Sequence, residues 1–202
     1  GAPHGVRPRV LESDARYGTY TSQLASGAAA ASVAARAARD ADHYADFLVR
    51  LHAAGGRVAF RTAINAQALY QVRERLLAVK VDRFRTPEGE FLLVRDQAQG
   101  FYGGCNDDAA DGESVRRTCE FRRSTTDAVI DHALRLAAEA WGGPGAADEV
   151  VVVCKFHLLD LRFARWVADA ARRHGREIRV VQPDTANRSL ARGAWRGRVL
   201  VV

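Results

Sequence analysis

At 202 residues the chain suits one domain and is long enough to bury a sizeable core. Its 48% apolar residues exclude disorder as the main state, and no apolar run approaches the ~18 residues of a membrane span. The formal charge of +6 accompanies a general richness in Arg, Ala, Gly and Val. The paired arginines Arg116-Arg117 and Arg122-Arg123 carry no interleaved aromatic motif, so no nucleic-acid partner is expected. Cys105, Cys119 and Cys154 are widely spaced, with no Cys-x-x-Cys pattern, and read as reduced thiols of a cytoplasmic protein.

In chain order, residues 1–25 are polar and irregular and read as an N-terminal arm; residues 26–202 read as a single α/β domain. The alanine-rich stretch Gly27 to Ala38 is a helix former rather than a signal sequence. Ser26 is expected to cap a helix from about Ala28 to Ala53, stopped by Gly55-Gly56. Val33, Ala37, Tyr44, Phe47, Leu48 and Leu51 share one face of it. Val58 to Phe60 suggests a short strand, and Ala63 to Val79 a helix with Ile64, Ala68, Val72 and Leu76 inward. Thr86-Pro87-Glu88-Gly89 is a turn, and Glu90 to Arg95 a strand.

Next comes Arg95-Asp96-Gln97-Ala98-Gln99-Gly100-Phe101-Tyr102. An arginine and a phenol placed together where a strand ends can hold a carboxylate beside a proton donor. Asn106 to Gly112 reads as an exposed loop or hairpin tip, and Glu113 to Arg123 as a strand. Ser124-Thr125-Thr126-Asp127 resembles a capping box with Asp in place of Glu; its helix reaches Trp141 before Gly142-Gly143-Pro144-Gly145. Glu149 to Cys154 is a continuous apolar run, the pattern of a fully buried strand. A lysine, Lys155, follows it directly, at the strand end where α/β sheets place ligands. It is one of only two lysines, with Lys80. Leu158 to His174 reads as an amphipathic helix, Glu177 to Val181 as a strand, Ala186 to Arg192 as a short helix and Arg198 to Val202 as a last strand. Asp184, after Pro183, suits a helix N-cap.

Several of these stretches, in this order, resemble the isocitrate and isopropylmalate dehydrogenases, the β-decarboxylating family. Arg95 to Tyr102 is similar to the family's Arg-Glu-Asn-Thr-Glu-Gly-x-Tyr signature, with Asp96, Gln97 and Gln99 departing from it. Phe60-Arg61 and Leu69-Tyr70-Gln71-Val72-Arg73 are similar to its Leu-Arg…Leu-Tyr…Arg-Pro segment, although Arg73 falls two residues late and the proline is missing. Val151 to Leu159 resembles Val-x-x-x-His-Lys-Ala-Asn-Val, keeping the lysine as Lys155 and placing His157 at the asparagine. Asp184 to Leu190 is similar to the Asp-x-x-x-x-x-Leu segment. The likeness runs from Arg57 to Val202. It implies a divergent, truncated relative whose three-layer-like sheet with flanking helices is the substrate-binding and dimerisation part of the isopropylmalate dehydrogenase fold.

The resemblance also implies roles. Arg61, Arg73 and Arg95 would bind substrate carboxylates, since a planar guanidinium matches a carboxylate bidentately. Tyr102 would be the general acid, with Arg95 or Lys155 lowering a phenol pKa of about 10. Lys155 would take the substrate hydroxyl proton. His157 adds a further acid or base. Asp184 matches a metal-binding aspartate, but one carboxylate does not complete an octahedral Mg²⁺ or Mn²⁺ site, so no tight metal is expected. The family's glycine-rich opening and its later nicotinamide-binding segments are not visible, so no NAD(P) cofactor is expected. A homodimer sharing its sites is implied, with Arg95 and Tyr102 of one chain facing Lys155 and Asp184 of the other. The expectation is a non-redox enzyme doing enol or enolate chemistry on a small carboxylic acid: decarboxylation, tautomerisation, dehydration or cyclisation. A non-catalytic partner subunit of a dehydrogenase and an unusual NAD(P)-dependent dehydrogenase stay open beside it.

Overall fold

The computed structural model describes residues 10–202, apart from the side chains of Tyr102 and Asp108. The chain forms two compact units that meet in sequence between Leu76 and Leu77. That division differs from the arm of 1–25 and single body of 26–202 read from the sequence.

The first unit is helical: α1 (Tyr20–Ala25), α2 (Ala30–Ala53) and α3 (Ala66–Arg75). Its core is built around small residues, with Ala37, Ala41, Ala45 and Ala68 packed beside Tyr44, Ile64 and Val72. The periodic face expected of α2 is the buried one at Val33, Ala37 and Tyr44. Ser26 does not cap α2. Its hydroxyl donates to the Gln23 carbonyl at 2.7 Å and closes α1. Gly27, at φ +73°, then turns the chain, and α2 begins after Ala29 without a side-chain cap. Asn65, fully buried, caps α3 through the Gln67 N–H (2.8 Å) and donates to Gln23 Oε1 (2.7 Å), tying α1 to α3. The strand expected at Val58 to Phe60 does not form, and Phe60 is 92% exposed. Three extended residues gain little without a neighbouring strand to take their backbone hydrogen bonds.

The second unit is the α/β body. β1 (Val79–Thr86) and β2 (Gly89–Asp96) form a hairpin across the expected turn at Pro87-Glu88. A five-stranded sheet follows in the order β1-β2-β7-β5-β6, with β5 (Glu149–Val153), β6 (Arg179–Val181) and β7 (Gly197–Val201) parallel to one another and to β2. Alternate residues of each strand point to opposite faces. Val150, Val152, Leu92 and Leu200 pack against α4 (Arg123–Trp141) and α5 (Arg162–Arg173) through Ile130, Ala133, Val167 and Ala170. Phe91, Val151 and Val199 pack on the other face against Trp195 and Ala186 of α6 (Pro183–Ala191). The architecture is thus the expected sheet between helical layers. A separate hairpin, β3 (Cys105–Asp108) with β4 (Val115–Thr118), projects from the connection between β2 and α4.

Three boundaries differ from the sequence reading. β1 was not anticipated, because Lys80, Asp82, Arg83 and Arg85 break its apolar pattern; charges of this kind are tolerated on an edge strand. Helix α4 starts at Arg123, so Ser124 is not its cap, and Asp127 pairs with Arg123 (3.5 Å) and Arg173 (3.2 Å) instead. The helix expected from Leu158 is broken: a 3-10 turn over Phe156–Leu159 leads into left-handed Asp160 (φ 48°) and Leu161 (φ 63°), and α5 begins only at Arg162.

Candidate functional site

A cavity of about 650 Å³ lies at the carboxyl ends of β2, β7 and β5. Its floor is the ends of those strands, Leu93, Val152, Val153, Val201 and Val202. Phe121, Val129, Ile130 and Phe163 wall it on the α4–α5 side, Ala186, Asn187 and Leu190 on the α6 side, and Leu158 and Leu159 come from the 3-10 turn after β5. The crevice beyond the carboxyl ends of parallel strands is where open α/β sheets take their ligands.

Arg95 and Lys155 both line this one cavity. Arg95 is the penultimate residue of β2 and is braced across the hairpin by Asp82 at 2.9 Å. Lys155 lies two residues beyond the end of β5, is exposed, and makes no ion pair among the described residues. An ammonium with no counter-charge of its own, set beside an apolar floor, is available to an incoming anion. Cys154, beside it, also lines the cavity, and burial pushes its thiol pKa up. It is held as the neutral thiol.

The loop after β2 is anchored from within. The Asp96 carboxylate accepts from the Ala98 N–H (2.8 Å) and from Gln99 Nε2 (2.8 Å). The same Gln99 nitrogen lies 3.2 Å from Thr126 Oγ1, and Gln99 Oε1 accepts the Arg122 N–H at 2.9 Å. Arg122 is the N-cap position of α4 and has no side-chain cap hydrogen bond, so Gln99 serves that helix end from 23 residues away. A glutamate at 99 could accept but not donate. The amide explains why Gln stands there. Neither Gln99 nor Asp96 was singled out from the sequence as a bracing residue, although both lie in the departing signature.

The remaining expected residues are placed as follows. Tyr102 lies in the 3-10 turn Gly100–Gly103 that ends the loop; its side chain is outside the described residues. His157 is exposed, absent from the cavity wall, and hydrogen-bonded to Gln182 Nε2 at 3.0 Å. Asp184 is exposed in the first turn of α6 and also outside the cavity wall. It is not the N-cap, which falls on Gln182, with Pro183 in the first turn. Among the described residues no three His, Cys, Asp or Glu gather to hold a metal ion. Arg61 and Arg73 belong to the first unit. Arg61 donates to the Thr62 carbonyl (3.1 Å) and lines a cavity of that unit with Tyr17, Tyr44 and Phe60. The Arg73 guanidinium lies 5.8 Å from the Tyr70 ring centroid.

No protein-family model matches the chain, and no curated protein matches it in sequence. In structure the chain is similar to isocitrate dehydrogenase from Methylococcus capsulatus, with TM-score 0.53 and 16% identity over 71% of this chain and 44% of that one. It is also similar to the apo form of a β-decarboxylating dehydrogenase from Thermococcus kodakarensis, with TM-score 0.50 and 19% identity over 72% of this chain and 43% of that one. The chain thus shares an α/β fold with part of these two proteins and spans less than half the length of either. Among the described residues no helix is long and apolar enough to cross a membrane.

Proposed function

We propose that this protein is a non-redox enzyme that binds a small carboxylic acid in the carboxyl-edge cavity and moves a proton on it through an enol or enolate. The observation that carries the reading is that Lys155, without an ion-pair partner among the described residues, lines the same cavity as Arg95. Arg95, already oriented by Asp82, presents its remaining N–H groups to a carboxylate. The Lys155 ammonium then gives a proton to the adjacent carbon or oxygen, and the neutral amine so formed takes one back from the substrate to complete the transfer. Tyr102 is proposed as the opposite proton donor on the resemblance of its loop. Left-handed backbone at Leu161, rare for a bulky residue, lies two residues beyond the cavity wall at Leu159, and such conformations concentrate at functional sites. A homodimer in the cytoplasm belongs to the same proposal, although Arg95 and Lys155 line one cavity without a second chain.

The test is turnover of a panel of β-keto and 2-hydroxy acids with no nicotinamide added. The wild type is expected to turn over at least one of them, and Tyr102→Phe and Lys155→Ala each to lose it; activity retained in both variants overturns the reading. A second reading, a non-catalytic partner subunit of a dehydrogenase, is favoured by one observation: Asp96 and Gln99 spend their hydrogen bonds on the loop and on α4. Co-purification with a full-length dehydrogenase, without intrinsic turnover, would decide for it. Saturable NAD(P) binding would instead favour a dehydrogenase.

A further inference from the structure

We propose that the acid taken by this cavity is amphipathic: a carboxylate attached to an aromatic or branched apolar body, rather than a compact di- or tricarboxylate. The inference rests on the carboxylate-binding reading of the same site and names its substrate class. Two features carry it. First, at about 650 Å³ the cavity is several times the bulk of a four-carbon diacid and falls within the ordinary range for drug-sized ligands. Second, its charged lining is limited to Arg95, Asp96 and Lys155, and the rest of the wall is mostly apolar. Asp96 is satisfied internally, Arg95 is half-neutralised by Asp82, and Lys155 has no ion-pair partner among the described residues; what is left of the positive charge matches one carboxylate shared between Arg95 and Lys155. A second carboxylate farther along the cavity would lie against Phe163, Leu158 or Leu190, with the uncharged Asn187 amide as the polar group on that wall, and would lose its water without a cation in return.

The apolar walls themselves point to a ligand. Phe121 and Phe163 meet edge to face with centroids 5.3 Å apart, and Phe163 is braced by Trp166 at the same 5.3 Å. Such a pair makes a firm wall for a flat ring. Leu158 stands 68% exposed at this cavity, with Phe121 and Leu190 about a third exposed. Apolar rim around a cavity is the surface that an apolar ligand would cover.

Calorimetric titration of the whole chain with 3-phenylpropionate, 4-methylpentanoate, malate and 3-phenylpropionamide tests this. The two amphipathic acids are expected to bind at least tenfold tighter than malate, with a negative heat-capacity change, and the uncharged amide to bind at least tenfold more weakly than its acid. Leu158→Asn, at an exposed position that should leave folding intact, is expected to weaken 3-phenylpropionate about tenfold and malate hardly at all; Lys155→Gln should weaken both. Malate binding as tightly as 3-phenylpropionate, with the Lys155 dependence kept, overturns the substrate class and leaves the carboxylate site standing. Indifference of every acid to Lys155→Gln overturns both. A Leu158→Asn variant that changes only the oligomeric mass assigns the rim to a second copy and overturns the inference.

Discussion

The sheet of the second unit has a cavity at each end, and the two are nearly the same size. The one at the amino ends of β5, β6 and β7 measures about 550 Å³ and is lined by Asp148, Glu149, Arg176, Glu177, Arg179 and Arg196. There charged and polar groups answer one another: Glu149 pairs with Arg179 at 2.8 Å, and Asp148 accepts the Arg198 backbone N–H at 2.7 Å. Arg176 donates to the Ala147 carbonyl. At the carboxyl end the walls are apolar and Lys155 has no ion-pair partner among the described residues. Size alone does not mark a binding site. A cavity whose polar groups largely bond to one another offers a ligand less than a cation beside an apolar floor, which offers both a charge contact and apolar surface to cover.

The largest effect expected from breaking this contrast is at Lys155. Lys155→Ala should lower turnover by about 10²–10⁴-fold, the usual worth of a positioned proton-transfer group, with the melting temperature essentially unchanged because the ammonium holds no ion pair. Gln99→Ala comes next. It removes the acceptor of the α4 N-cap N–H and a donor to Asp96, and should cost about 1–3 kcal/mol of stability in denaturant melts; loosening of Arg95 should raise KM in the same variant. At the opposite end Arg179→Ala should cost about 1 kcal/mol and leave turnover alone, because the guanidinium it removes is half exposed and such ion pairs are worth little. A large loss of turnover there would erase the distinction between the two ends.

The smallest effect concerns Cys154. Burial raises its pKa, so alkylation should lag behind that of exposed Cys105 at mildly alkaline pH, and a bound acid should slow it further; mass spectrometry of the labelled thiols reads both. The sign of the linked stability follows. The folded chain holds the thiol proton more tightly, so this contribution is intact below the unfolded thiol's pKa and is lost as pH rises through the folded value.

Much of the frame was legible in the residues. The run Glu149 to Cys154 announced a doubly covered strand, and Val150, Val151 and Val152 are all buried. The face of α4 at Val129, Ile130, Ala133 and Ala137 is likewise the buried one. Gly142 stops that helix in a left-handed conformation, at φ +89°. Arg95 and Lys155 were legible because each stands at the end of a strand, and the parallel pairing of β2 and β5 with β7 then sets both strand ends at one edge. Less visible were the residues whose partners are far away in the chain. The cap of α4 comes from Gln99, the brace of Arg95 from a strand that its own charges disguised, and the apolar walls from Phe121, Phe163, Leu158 and Leu190, which lie on four different segments.

Periodicity, strand-end placement and turn residues are local properties, written within a dozen neighbouring positions, and they were enough to set the α/β order and to nominate two cations. Whether those cations share a cavity, which is paired and which is not, and how wide and apolar the space around them is, depend on sheet order and helix placement. Those are set by long-range burial, where each strand is chosen by the neighbours it covers rather than by the residues beside it in the chain.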